Sequence, residues 1–291
     1  MMNATHGPSG TLAGLIAIVG ARAATYVPDT PVTVAWLAGA TAGALLPDAD
    51  HHSSNTSKVW GPLTSIPCYF LGKLAGGHRE GTHDISRGAP VLFALVFALG
   101  LLAPAGYQMT GGPTWMGIAA RIAGMGVVAL ITGLVFVGLA ALIPGNWEGN
   151  APTNFAFSWM AAAAVTQPYP HGLPWQITTA ASVGIAVGVL TGIAGDGCTI
   201  SGIPWRNRRQ PKPGDQARHL DKWGRDNVHL LPYAMRIRTG SAAEVFLVRA
   251  PILLGIVVLG IYVAGPTQAA YLWRFAHDLP GHEHLLALVG R

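Results

Sequence analysis

Uncharged, mostly apolar runs of about 20 residues recur along this chain, and no other feature restricts its fold so severely. A run of that kind is the length a helix needs to cross a bilayer's hydrocarbon core, where every backbone polar group has to be satisfied within the protein. Composition agrees. Hydrophobic residues make up 51% and charged residues 11%, against about 25% charged in soluble domains. Mean hydropathy is +0.39. There are 38 glycines, a residue commoner in membrane helices than in soluble ones. The expected class is an all-α polytopic membrane protein.

Seven spans are expected, with five as the lower bound, at about 9–27, 32–46, 88–107, 117–143, 154–168, 176–195 and 243–264. Small residues punctuate them: GATAG in the second, GMG and GLVFVG in the fourth, GIAVG in the sixth. Their expected role is close helix approach. Two long loops remain, 47–87 and 196–242. Nine of the 18 Lys and Arg residues fall between Arg206 and Arg238. That local excess is no nucleic-acid footprint, and it places both loops, with the N-terminus, on the cytoplasmic side of an inner membrane. Four spans lie between the loops, so they share that side. The polar, proline-containing segment 206–225 reads as a loop resting on anionic headgroups. The first apolar run has no basic stretch before it and no A-x-A site after it, so it is expected to be retained. Residues 1–265 read as one membrane-embedded unit and 266–291 as a tail. The two cysteines, Cys68 and Cys198, form neither a CxxC pair nor a disulfide framework.

The second apolar run ends in LLPDADHH, at 45–52. Two carboxylates and two imidazoles at the mouth of an apolar segment are costly to bury unless something of opposite charge sits with them. A second cluster, GGHREGTHDISRG at 76–88, carries His78 and His83. Asp196 closes the sixth span and His6 precedes the first. Carboxylate and imidazole together suit a divalent ion, zinc or manganese above all. His78 and His83 are five apart, about 140° around an ideal helix. They would not share one face, so this is not the two-histidine helix of HExxH proteases. The expected ligands are His6, Asp48, Asp50, His51, His78, His83 and Asp196, with His52 a neighbour. His277, His282 and His284 read as solvated tail residues. Arg236 and Arg238 read equally as anion binders and as a basic flank to the seventh span.

The order of these pieces resembles the YdjM-like family of inner-membrane-associated metal-dependent hydrolases. Along 6–244 the shared pattern is His6; Pro47, Asp48, Asp50 and His51; His78, Arg79, Thr82 and His83; Asp196, Thr199 and Gly202; then Thr239, Gly240, Ser241 and Glu244. The chain departs from it at Glu80 and Asp84 and in a longer, more basic loop after Trp205. The resemblance implies metal binding and hydrolysis at the membrane face. In that reading Glu80 is the general base and Arg79 steadies an anionic intermediate. The substrate is a phosphoester or another lipid-linked molecule, and membrane lipid is the expected partner. The alternative is a non-catalytic membrane protein with a structural or sensory metal. Transport is disfavoured by the nearly non-polar centres of the third, fourth and seventh spans.

Overall fold

The computed structural model describes residues 3–51, 54–75, 82–83, 115–141, 150–169, 173–200, 202–208 and 225–277. Seven α-helices lie within them: α1 (Asn3–Ala23), α2 (Thr30–Leu45), α3 (Pro62–Ala75), α4 (Trp115–Ala140), α5 (Ala151–Thr166), α6 (Trp175–Gly197) and α7 (Ala250–His277). A 3-10 turn, Leu46–Asp50, continues α2, and a π-helical turn, Glu244–Arg249, leads into α7.

Four segments are long and apolar enough to cross a membrane: Thr30–Asp50, Arg121–Ala140, Trp175–Gly197 and Glu244–Gly265. They coincide with the expected second, fourth, sixth and seventh runs. The expected third run, 88–107, lies outside the described residues. The runs at 9–27 and 154–168 are helical as α1 and α5 but are not among the four. α1 begins earlier than expected, at Asn3, and runs through Pro8, so His6 lies in its first turns rather than ahead of a helix. α7 continues past a break at Gly265, where φ is 81°. Arg22 of α1 donates to the carbonyl oxygens of Tyr262 and Val263 there, at 3.3 and 2.7 Å.

The bundle is organised around α2 and α6, which touch backbone to backbone. A β-carbon placed on Gly39 or Gly43 of α2 would lie 2.2 Å from the carbonyl oxygen of Ala181 or Ile185. From α6, one on Gly184 would lie 2.3 Å from the Trp36 oxygen, and one on Gly188 2.2 Å from that of Ala40. These are the GATAG and GIAVG segments, so the role expected of them, close approach through small residues, is what the structure shows. α1 joins through Gly10, equally tight on Ala40, and through paired hydroxyls of Thr11 and Thr41, 2.6 Å apart. α4 packs on α5, where Gly133 faces Ser158 and Thr132 donates to the Ser158 carbonyl at 3.2 Å. Two helix starts are fixed by side chains. Asp29 accepts the Val32 N–H before α2, and Asn150 the Thr153 N–H before α5, each with a proline in the first turn.

Two local features depart from the expected loops. Residues 62–75 of the first loop are the helix α3. In the second loop Ile203–Arg208 (β1) and Arg225–Val228 (β2) pair antiparallel, with Ile203 opposite Val228. The all-α expectation holds, and the hairpin is a local addition within the second loop. Ile203 is buried against Ile185, Val189 and Ile193 of α6, which gives the hairpin an apolar anchor. The basic segment 209–224 lies outside the described residues.

Candidate functional site

Four chain segments bring their polar ends together at one end of the bundle. α1 supplies His6 from its first turns, and α2 runs into the 3-10 turn that carries Asp48 and Asp50. α6 ends on Asp196, and the turn at 82–83 supplies His83. Each imidazole faces both carboxylates. His6 Nε2 lies 3.9 Å from Asp48 Oδ2 and 3.6 Å from Asp196 Oδ1. His83 Nε2 lies 3.6 Å from Asp48 Oδ1, and His83 Nδ1 lies 2.9 Å from Asp196 Oδ2. The four groups form a closed ring. His6, His83 and Asp196 are buried; Asp48 keeps 18% of its side chain exposed and is the ring's opening to solvent.

Local hydrogen bonds hold each member. The Ser54 hydroxyl and the His51 N–H both donate to the Asp48 carbonyl, at 2.8 and 3.1 Å, and lock the turn after α2. The Thr82 hydroxyl sits 2.6 Å from Asp50 Oδ2 and 2.8 Å from the Pro47 carbonyl, which pins the His83 segment onto that turn. Thr199 donates its hydroxyl and its N–H to the Asp196 carbonyl, at 2.7 and 3.0 Å. Gly202, at φ 66°, passes so close to the His229 ring that a β-carbon would lie 2.5 Å from it. A glycine is required there on both counts.

The two imidazoles respond differently to this setting. Burial pushes His6 below its ordinary value and outweighs the pull of Asp48 and Asp196. Burial acts the same way on His83, but the hydrogen bond and charge of Asp196, then the charges of Asp48 and Asp50, overcome it and raise its pKa. Both ring nitrogens of His6 are buried and make no hydrogen bond among the described residues. A buried imidazole in that state is normally paired.

The structure thus unites four of the expected ligands: His6, Asp48, His83 and Asp196. Asp50 is buried one residue-pair away, on Thr82. His51 follows the 3-10 turn, half-buried and outside the ring. His52, His78, Arg79 and Glu80 lie outside the described residues. His83 lies in a turn.

Glu244 was not among the expected site residues, yet it is buried beside them. Thr5, next to His6, donates to its Oε1 at 2.8 Å, and the Gly240 N–H donates to Oε2 at 2.7 Å. One carboxylate thereby ties the start of α1 to the turn before α7. The signal was present in the TGSAAE segment, but a single Glu ahead of an apolar run reads equally well as its polar flank.

The donor set suits a divalent ion: two imidazoles and two carboxylates, one imidazole without hydrogen bonds. The arrangement is closed on itself, however, and among the described residues no group of three or more His, Cys, Asp or Glu is spread so as to hold a metal ion. The facing nitrogen and oxygen atoms of the ring lie 2.9–3.9 Å apart. No family model matches the chain, and no curated protein or solved structure is significantly similar to it.

Proposed function

We propose that this chain is an integral membrane protein that binds a divalent metal ion and hydrolyses a phosphoester or other lipid-linked substrate at the cytoplasmic face of an inner membrane. One observation carries the reading: His6, Asp48, His83 and Asp196 meet in a buried ring at the end of the bundle where two apolar segments, Thr30–Asp50 and Trp175–Gly197, terminate. Placing two carboxylates and two imidazoles there is expensive without a functional return. The ordered motifs that resemble the YdjM-like hydrolases fall on the same residues.

In this reading His6, Asp48, His83 and Asp196 hold the ion, with Asp50, His51 and His78 as further ligands or partners. A divalent cation in such a site supplies Lewis acidity and a water that ionises near neutral pH. Asp50 orients the His83 turn through Thr82. Glu80 serves as general base and Arg79 steadies the developing anion; both follow from the motif. The exposed edge of Asp48 is where substrate and solvent reach the ring.

Metal content of the detergent-purified protein, read by mass spectrometry, tests this. Wild type should hold about one or two ions per chain, and Asp196→Asn and His83→Gln should lose them while remaining folded. Hydrolysis of phosphoester lipids in mixed micelles should then depend on the metal and vanish with chelator. A wild type that stays metal-free after metal-supplemented expression removes the reading's foundation.

A second reading is favoured by the closure of the ring. Two imidazoles and two carboxylates facing one another at 2.9–3.9 Å can serve as a polar lock joining α1, α2, α6 and the His83 turn, with no catalysis. The metal measurement separates the two.

A further inference from the structure

α3 turns the wrong face to the protein. Its inner side, packed on the 3-10 turn after α2, is mostly small and polar, with Thr64, Ser65, Cys68 and Gly72 beside the half-buried Leu71. A β-carbon on Gly72 would lie 2.3 Å from the Asp50 carbonyl oxygen, so the helix rests directly on the backbone of the site turn. Its outer side is apolar. Leu63, Ile66 and Phe70 are 66%, 56% and 57% exposed. At 100° per residue they lie within about 60° of one another on the helix. A helix on the surface of a water-soluble protein is built the other way round, apolar side inward.

The surroundings name the medium that this face requires. α3 abuts the end of Thr30–Asp50, one of the four segments long and apolar enough to cross a membrane. Its 14 residues extend about 21 Å, short of the roughly 30 Å hydrocarbon core. Pro62 starts it, and Pro67 lies inside it, on the outer side. Lys73, in the last turn, places its ammonium 4.7 Å over the Tyr69 ring. Tyr and Lys at that position are the residues that sit at headgroup level, with their apolar bodies in the acyl region.

We propose that α3 is an interfacial helix lying in the plane of the bilayer, with Leu63, Ile66 and Phe70 among the acyl chains and Lys73 at the phosphate layer. It carries the Asp48–Asp50 turn on its inner face, so the ring lies at headgroup depth. The helix's placement rests on the membrane reading above and not on the metal.

Spin labels test it in the full-length protein. Cys68 and Cys198 are replaced by alanine, and single cysteines are introduced as Leu63→Cys, Ile66→Cys and Phe70→Cys. Lys58→Cys, on an exposed residue, serves as the aqueous reference, and Leu190→Cys, exposed on α6, as the bilayer reference. After reconstitution into phosphatidylethanolamine–phosphatidylglycerol vesicles, collision with oxygen and with a water-soluble nickel chelate is read by power saturation. The expected result at 63, 66 and 70 is the pattern of Leu190: oxygen collisions several-fold favoured over the nickel chelate, the reverse of Lys58. Nickel access at these three positions, with Leu190 still shielded, overturns the interfacial helix and leaves the membrane reading intact. Nickel access at Leu190 as well overturns both. Shielding from both reagents at 63, 66 and 70 means that protein, such as a second copy, covers the face, and this also overturns the proposal. Any one of the three labelled variants that fails to fold is replaced in the argument by the other two.

Discussion

His83 Nδ1 lies 2.9 Å from Asp196 Oδ2, the shortest approach in the ring, and both side chains are almost fully buried. Taking away one partner strands the other charge in a poorly solvated place. Asp196→Asn or His83→Ala should therefore cost about 3–5 kcal/mol of stability, seen as a lower unfolding temperature of the metal-free protein in detergent. No change would mean that water reaches the pair.

The same pair fixes a pH dependence. The His83 pKa is raised in the folded protein above its ordinary 6.5. Its contribution is complete below pH 6.5 and is lost as pH rises through the elevated folded value. His6 is shifted the other way, so its influence is confined to pH below 6.5. Between neutral and alkaline pH the unfolding temperature of the metal-free protein should fall. That slope should be absent in His83→Gln, and its persistence there would assign it to another group.

Glu244→Gln should loosen the start of α1. One of the two oxygens becomes an amide donor, opposed to either the Thr5 hydroxyl or the Gly240 N–H. The expected loss is about 1.5–3 kcal/mol, the range for a hydrogen bond to a charged group. Because Thr5 adjoins His6, bound metal should also fall. Unchanged stability and metal content would reduce Glu244 to a bystander.

Gly188→Val sets a bulky branch where even a β-carbon would be 2.2 Å from the Ala40 oxygen. The backbones must separate, at a cost above the 1–3 kcal/mol or so of ordinary overpacking. Gly260→Ala on α7 is the control. Nothing lies within 4 Å of its β-carbon, so it should be neutral or stabilising by up to about 1 kcal/mol. Thermal unfolding of the two variants side by side decides whether the glycines matter by position or by number.

Cys68 is half-buried on α3, and burial, with the charge of Asp50, pushes its thiol up to about 11 from 9.0. Thiolate is the reactive form. Alkylation by iodoacetamide at pH 8 should run tens of fold slower than for an unstructured thiol and accelerate steeply up to about pH 11. Fast reaction at pH 8 would place the thiol in open water.

Much of this was legible in the residues, for physical reasons that differ from part to part. The apolar runs at 32–46, 117–143, 176–195 and 243–264 correspond to helices because uncharged length has few other outcomes. GATAG and GIAVG identified the contacting faces because only glycine lets two backbones meet. His6, Asp48, His83 and Asp196 could be grouped because each stands at the polar end of an apolar stretch, where charge has few places to go. α3 was hidden by Pro62 and Pro67 and by a length too short to register as a span. The hairpin was hidden by Arg206, Arg208 and Arg225, which resemble a basic loop until Ile203 is seen to be buried. Glu244 was hidden because its partners, Thr5 and Gly240, are remote from one another in sequence.

The glycine contact between α2 and α6 governs more than packing. Asp48 and Asp196 hang from the far ends of those two helices, so their separation is inherited from main chain pressed on main chain, which has almost no give. The imidazoles arrive on other segments, His6 from the first turns of α1 and His83 from a turn pinned by one threonine. The ring is a vice whose two carboxylate jaws are set by one backbone contact, while its two imidazoles are positioned by contacts of their own.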